Sequence, residues 1–146
     1  MTVLAVLEGY ATALAAPHID DEHIARLADI TDNMANAKDR LDSLTFGRLN
    51  QEFHSVIYEC CPNPALVSLL RDVARRLDAI RRTVFVQIPY RAGASIGEHR
   101  ELIKLIAEDA DAAAIEAAAR EHKLRTVESF REWHHEHEDL GAAVLR

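Results

Sequence analysis

Between Ser43 and Cys60 the sequence reads SLTFGRLNQEFHSVIYEC, a segment whose bulky apolar residues recur with helical spacing. Gaps of three and four residues alternate along the series Phe46, Leu49, Phe53, Val56 and Cys60. This is the repeat of one buried face of an α-helix. Asp42 or Ser43 can cap its start, and Pro62 and Pro64 follow its end. The segment therefore predicts a helix packed on a core.

The rest of the chain follows the same pattern. Five more helices are predicted. One covers about Val3 to Ala16, the next is capped by Asp20 or Asp21, and another runs from Pro64 to about Val86. The last two are a helix that carries Ile96 to Ile106 and a helix, capped by Asp109 or Asp111, that extends from Ala112 to about Glu138. Pro89 and Gly93 predict a loop between about Ile88 and Ser95. With no internal repeat and no linker, residues 1–146 are interpreted as one all-α bundle of antiparallel helices.

Composition narrows the functional classes. The 146 residues are 49% hydrophobic and 28% charged, which is enough apolar material for a core. Seventeen basic against 24 acidic residues give a net charge of −7, which argues against sequence-independent binding to nucleic acid or an anionic membrane. We see no apolar run of about 18–20 residues and no signal-peptide pattern. The two cysteines are adjacent and make no disulfide scaffold, so a cytoplasmic location is expected.

Eight histidines are the most informative polar residues. Asn50 and His54 are one turn apart on the third predicted helix, beside its apolar face. His99 lies on the buried side of its helix, and His122 lies nearer the apolar side of the last one. Three inward imidazoles on three helices, with a nearby amide, suit a borderline divalent metal ion. The same positions also suit histidines that only pack and donate a hydrogen bond, and the spacing leaves both interpretations open.

The other titratable residues carry weaker signals. The remaining histidines are predicted at the surface: His18, His23, His134, His135 and His137. Arg81 and Arg91 bracket the predicted loop, and a guanidinium can bind a carboxylate through two hydrogen bonds. Most of the other arginines near them lie off the apolar face and suit solvent or acidic neighbours. Cys60 and Cys61 have no activating neighbour and are interpreted as core residues.

Several short motifs, in order, resemble the FCD domain, the C-terminal effector domain of FadR-type GntR transcription regulators. The matching segments are Leu7-Glu8-Gly9 with Ala15-Ala16, Leu49-Asn50-Gln51-Glu52-Phe53-His54, Asn63-Pro64-Ala65-Leu66, Pro89-Tyr90-Arg91, Glu98-His99-Arg100, and Asp109-Ala110-Asp111 with Glu121-His122. Each motif is short, but their order over about residues 3 to 130 is specific.

The resemblance implies an all-α antiparallel bundle of six to seven helices that encloses a central cavity for a metal and a small effector, often a carboxylate. Carried over by position, the family's metal ligands fall on Asn50, His54, His99 and His122, the residues that the helical facing also selects. The implied metal is Zn, with Ni or another divalent ion as alternatives. A homodimer is implied as well.

Two positions depart from the family pattern. Asn50 stands where Asp is usual and offers a neutral oxygen in place of a carboxylate. Leu4 stands where members often carry Arg, so Arg91 and Arg81 are left as partners for an effector carboxylate. The family's winged helix-turn-helix DNA reader precedes this domain, and the resemblance begins almost at Met1. We therefore expect the reader to lie outside this chain and DNA to be contacted only through it.

Three functions are compatible with these patterns. The first is a ligand-sensing and dimerisation domain of a transcription regulator. The second is a metal-dependent enzyme in which the three histidines activate water. Against it, Glu52 and Glu98 are predicted to point away from the histidines, which leaves no convincing general base, so no catalysis is expected. The third is a metal-free helical interaction domain.

Overall fold

The computed structural model describes the backbone of residues 2–144 and the side chains of residues 2–76 and 88–136. This part contains α1 (Thr2–Ala15), a 3-10 turn (Ala16–His18), α2 (Asp21–Asp39), α3 (Ser43–Glu59), α4 (Pro64–Gln87), α5 (Pro89–Ala107) and α6 (Ala112–Val144). The all-α class is confirmed, since the described backbone holds no strand. None of its helices combines the length and apolar character needed to cross a bilayer.

Polar side chains set the start of four helices. Asp20 accepts a hydrogen bond from the backbone N–H of His23 at 3.0 Å, Asp42 from Thr45 at 3.0 Å, Asn63 from Leu66 at 3.0 Å, and Asp111 from Ala114 at 2.8 Å. Each oxygen satisfies an N–H group that the helix itself leaves without a partner. Where the sequence allowed two caps, the structure therefore selects Asp20, Asp42 and Asp111.

The fifth helix begins at Pro89, so the predicted loop between Ile88 and Ser95 is wrong. Proline is tolerated at the first helical position because its missing N–H has no partner there in any case. Gly93 costs about 1 kcal/mol relative to alanine inside a helix. Burial of Ala92 and Ile96 offsets this cost. The sixth helix also runs beyond its predicted end at Glu138.

Two pairs of neighbouring helices, α2 with α3 and α5 with α6, run antiparallel and bring distant residues together. Arg26, near the start of α2, pairs at 3.3 Å with Glu59, at the end of α3. Arg91, near the start of α5, reaches Thr126, while Glu98, about two turns later, reaches His122. The principal partner of α1 is α6, and α2 packs on α3 and α5.

The core holds two apolar clusters and a set of buried polar side chains. The larger cluster includes Leu27, Met34, Phe46, Phe53, Val56, Ile57 and Ile96, and the smaller one includes Leu4, Ala11, Tyr58, Val67 and Leu70. The buried polar set includes Glu8, Asn50, His54, Arg91, Ser95, His99, His122 and Lys123. Gly9 lets α1 approach α6 closely, because a Cβ at this position would lie 2.8 Å from the backbone oxygen of Glu116.

Candidate metal centre

Three imidazoles from three helices meet in the core. The ring centroids of His54 and His99 are 5.1 Å apart, those of His54 and His122 5.3 Å, and those of His99 and His122 4.8 Å. One ligand atom from each of the three lies within 4.8 Å of the others. The chain thus brings together the three histidines that the sequence analysis selected, from positions up to 68 residues apart (122 − 54).

Helical spacing explains how α3 supplies its part of this centre. Asn50 and His54 are four residues apart and are both buried, at 3% exposure each. They lie beside the apolar face that carries Phe53, and the Phe53 ring stacks on His99 at 3.8 Å with an interplanar angle of 2°. The ring of Phe53 therefore fixes the plane of His99 and shields it from water.

Several buried polar atoms at this centre have no hydrogen-bond partner within the described residues. They are Oδ1 of Asn50, Nε2 of His54, and both ring nitrogens of His99. Ser95, one turn before His99 on α5, also has a buried hydroxyl oxygen without a partner there. Leaving a buried donor or acceptor unsatisfied costs about 1–3 kcal/mol, so such groups are uncommon without a function. The unpartnered nitrogens of His54 and His99 belong to rings whose centroids are 5.1 Å apart, which points to a ligand that these two histidines share.

Two carboxylates orient two of the histidines. Oε1 of Glu8 lies 2.5 Å from Nδ1 of His54, and Oε2 of Glu98 lies 2.6 Å from Nδ1 of His122. An ionised carboxylate only accepts hydrogen bonds, so His122, which is hydrogen-bonded to Glu98, carries its proton on Nδ1 and presents Nε2. The contact between Glu8 and His54 is a close ion-pair contact that favours the same tautomer. In protein metal sites, a metal-binding histidine commonly contacts a carboxylate through its other ring nitrogen in this way.

The position of Glu98 corrects the sequence analysis, which predicted that this carboxylate points away from the histidines. Glu98 lies seven residues after Arg91, on the same side of α5, and its side chain is only 12% exposed. Arg91 donates to Glu98 Oε1 at 2.8 Å and makes a second, very short contact with Oε2. Glu52, in contrast, points outward as predicted and contacts Arg26 and Arg48.

Each orienting carboxylate is neutralised by a buried cation. Lys123 Nζ lies 3.2 Å from Glu8 Oε1, and Arg91 binds Glu98. Arg91 is 2% exposed and also donates to Thr126 Oγ1 and to the backbone oxygen of His122, each at 3.1 Å. The buried charges around the three imidazoles thus balance, and the exposed Arg125 adds a further cation 3.4 Å from Glu98 Oε1.

Burial keeps the imidazoles neutral. It lowers the pKa of His54 to about 3 and that of His122 to about 4, although Glu8 and Glu98 act in the opposite direction. Burial also holds the pKa of His99 well below its usual value. For Glu98, burial raises the pKa, but the hydrogen bonds from His122 and Arg91 lower it to about 2. At neutral pH the centre therefore offers neutral nitrogen donors, the form that binds metal.

The residues present fit a divalent metal ion. Zinc takes neutral imidazole nitrogen at about 2.0–2.1 Å, which places tetrahedral ligand atoms about 3.3 Å apart. In this structure the three histidine ligand atoms lie within 4.8 Å of one another. Asn50 Oδ1, which is buried one turn before His54 and has no hydrogen-bond partner among the described residues, is the candidate for a fourth donor. The site would hold the ion through His54, His99 and His122.

The other predicted residues lie elsewhere. His18, His134 and His135 are exposed and His23 is half-buried, while the side chain of His137 lies outside the described residues. Cys60 and Cys61 are half-buried, and burial raises the pKa of the Cys60 thiol. The side chain of Arg81 lies outside the described residues as well, so its predicted effector contact stays a prediction.

A family model described as the FCD domain matches residues 1–126. This chain belongs to the FCD domain family. No curated protein matches it significantly. FCD domains occur in GntR-family transcription regulators as the ligand-binding effector domain, and they often bind metals. FCD domains belong to transcription regulators, which as a group are not enzymes.

An open cavity of this FCD domain adjoins the histidine centre. It measures about 520 Å³ and runs between α3 and α4. Its lining includes His54, Tyr58, Gln51, Ser55, Arg71 and Arg75. His54 is thus shared by the cavity and the histidine centre, so a small molecule in the cavity would lie against one of the candidate ligands.

Three of the polar residues around the centre were missed as partners by sequence reasoning. Glu8 had a signal, because it falls on the same helical stripe as Leu4, Ala11 and Ala15, where a lone carboxylate is unusual. Lys123 follows His122 directly and comes four residues after the buried Ala119. Glu98 shares a face with Arg91. For Glu8 and Lys123 the spacing predicts burial but not the partner, whereas for Glu98 it predicts neither.

Proposed function

We propose that this FCD domain is the metal-containing, ligand-sensing effector domain of a GntR/FadR-type transcription regulator. The observation that carries the proposal is the meeting of His54, His99 and His122 in the core with buried nitrogens that lack partners among the described residues. A purely structural core would leave these desolvated groups uncompensated. A metal-free interaction domain is therefore the less favoured interpretation.

The donor set indicates the class of metal. Three neutral imidazoles and one amide oxygen suit a borderline ion, so Zn is proposed, with Ni or another divalent ion as alternatives. When bound, the ion would act as a Lewis acid that attracts and orients an anionic oxygen of the effector. None of the four proposed ligands is charged, so the full charge of the ion is available to an anion.

The protein around the ion would select and enclose the effector. We propose a small carboxylate metabolite, because its anionic oxygen matches the uncompensated charge and the cavity beside His54 has room for a small molecule. Arg91 and Arg81 remain the proposed carboxylate contacts. Since Arg91 is bound by Glu98, an effector that reaches this guanidinium has to share it with Glu98 or replace that carboxylate.

The proposed output is control of DNA binding by an attached reader domain. An effector shifts a regulator only as far as it binds one helix arrangement better than another. We propose that the domain works as a homodimer in the cytoplasm and touches DNA only through the winged helix-turn-helix reader. Neither a nucleic acid nor a membrane is proposed as a direct partner of this domain, whose net charge is −7.

Metal analysis of protein purified without a His tag tests the proposal. We expect close to one equivalent of divalent metal, a lower melting temperature after treatment with a chelator, and recovery on adding Zn. His99→Ala should abolish the metal and leave most helix content intact. The matched control His135→Ala changes an exposed histidine and should keep the metal.

Two results would contradict the proposal. One is less than about 0.2 equivalents of metal together with no chelator effect on melting. The other is unchanged metal content in His99→Ala. Small carboxylates can then be screened by their effect on melting, and conversion of a stabilising carboxylate into a product would favour an enzyme instead.

A further inference from the structure

Glu8 is a buried carboxylate that comes from the first helix and reaches the histidine centre. It is 1% exposed. Its Oε1 lies 2.5 Å from His54 Nδ1 and 3.2 Å from Lys123 Nζ, and its Oε2 accepts a 2.7 Å hydrogen bond from the Tyr58 hydroxyl. Three side chains from two other helices, α3 and α6, thus hold one carboxylate of α1.

The contacts of Glu8 determine which nitrogen of His54 is available. Tyr58 and Lys123 keep the carboxylate in one place, and an anionic oxygen 2.5 Å from His54 Nδ1 favours a proton on that nitrogen. The lone pair is then on Nε2, a buried atom with no hydrogen-bond partner in the described part of the chain. A histidine whose tautomer and ring plane are set in advance loses less freedom when it binds a metal.

We propose that Glu8 is the positioning residue of His54 and that, through it, the metal centre holds α1 against α3 and α6. The inference rests on the proposed metal site and deepens it, because it assigns a role to a residue outside the ligand set. Glu8 does not touch the metal in this proposal. It acts through His54, and Tyr58 and Lys123 act through Glu8.

The geometry also gives the centre a mechanical connection to the first helix. Gly9, next to Glu8, allows α1 to lie so close to α6 that even a Cβ would meet the Glu116 backbone. An ion that holds His54 in place favours the ring position at which Glu8 is bound. Because coupling between two equilibria is reciprocal, metal binding then strengthens the docking of α1, and docking of α1 strengthens metal binding.

The test compares Glu8→Gln with Glu52→Gln, a carboxylate of α3 that points outward. Glutamine keeps the size of Glu8 but removes its charge and places a donor where only acceptors were. We expect Glu8→Gln to weaken Zn²⁺ affinity about 10- to 100-fold in competition with a chelating indicator, and Glu52→Gln to stay within about twofold of wild type. Circular dichroism of the metal-free proteins verifies that both variants fold.

Two further readouts separate positioning from a general structural effect. Nitrogen NMR of the metal-free wild type should show His54 protonated on Nδ1, and Glu8→Gln should lose this preference. Hydrogen exchange should show that Zn²⁺ protects the amides of α1 in wild type but much less in Glu8→Gln. If Glu8→Gln does not fold, Tyr58→Phe removes one bond to Glu8 and should weaken Zn²⁺ binding by more than about twofold.

The outcomes distinguish this inference from the proposed function. Wild-type protein that binds Zn²⁺ while folded Glu8→Gln binds it within about twofold as tightly overturns the role of Glu8 and leaves the metal site intact. A His54 protonated on Nε2 in the metal-free wild type has the same consequence. Wild-type protein that binds no metal overturns the proposed function, and this inference with it.

Discussion

Asn50 is the uncharged oxygen donor of the proposed ligand set. It is buried on the same side of α3 as His54, and its Oδ1 has no partner among the described residues. A carboxylate at this position would cancel one of the two charges of a bound ion, whereas the amide cancels none. A neutral ligand set weakens the hold on the metal and strengthens the attraction for an anionic effector.

Asn50→Asp tests this role of the amide. We expect Zn²⁺ affinity to rise at least about tenfold, because an anionic oxygen replaces a neutral one next to a dication. Binding of a carboxylate effector should weaken in the same variant. Competition with an indicator measures the first effect and calorimetric titration the second, with the exposed Asn36→Asp as control. Equal or weaker Zn²⁺ binding by Asn50→Asp would exclude this residue from the ligand set.

At the scale of the elements, two helices end at a residue in the left-handed backbone region that is not glycine. Leu41 after α2 and Asp109 after α5 adopt positive φ angles of 58° and 52°. At both ends a backbone N–H reaches back into the helix, from Asp42 to Ala37 at 2.9 Å and from Ala110 to Leu105 at 3.0 Å. Glycine is usual in this left-handed position because side chains are strained there. Leu41 is also 86% exposed, so its side chain adds little packing.

Leu41→Gly should therefore stabilise the domain. We expect the free energy of unfolding to rise by about 1 kcal/mol, which corresponds to an increase in melting temperature of about 2–4 °C. Asp109→Gly should give a smaller gain, because aspartate tolerates the left-handed region better than leucine does. Urea unfolding measures both variants, and a destabilised Leu41→Gly would show that this leucine makes a stabilising contact.

Across the whole molecule, folding depends on keeping three imidazoles neutral in the core. Burial lowers the pKa of His54 to about 3 and of His122 to about 4, and holds that of His99 well below its usual value. In the unfolded chain these groups titrate near pH 6.5. The unfolded state thus binds protons that the folded state excludes. The free energy of unfolding is therefore highest above about pH 6.5 and decreases as the pH falls toward about 4.

Metal-free protein should therefore lose stability steeply in mild acid. For each imidazole, the free energy of unfolding should decrease by up to about 1.4 kcal/mol per pH unit between about pH 6 and 4. Urea unfolding after chelator treatment, repeated at several pH values, measures the total slope. His99→Leu should reduce it by about one imidazole, whereas His135→Leu should not change it. Constant stability between pH 7 and pH 5 would contradict the neutral, buried state of the three histidines.

Much of this architecture could be predicted from local signals. The 3-4 spacing of apolar residues in α3, the capping aspartates and the one-turn offset between Asn50 and His54 all depend on neighbouring residues in the chain. The inward facing of His99 and His122 follows from the same periodicity. For this reason the amino-acid sequence alone determines the helical class, most helix bounds and the inward facing of the three histidines.

The rest was decided by tertiary packing. Whether Pro89 and Gly93 form a loop or the first turns of α5 depends on the side chains that those turns bury. The surface that buries them is supplied by other helices. The partners of Glu8 lie 46 residues and more along the chain (54 − 8), and Glu98 meets His122 from another helix. Sequence spacing places a charged side chain on the buried side of its helix. Only the folded bundle determines which opposite charge it meets, because desolvated charges are stable only where a partner from another helix lies within hydrogen-bond reach.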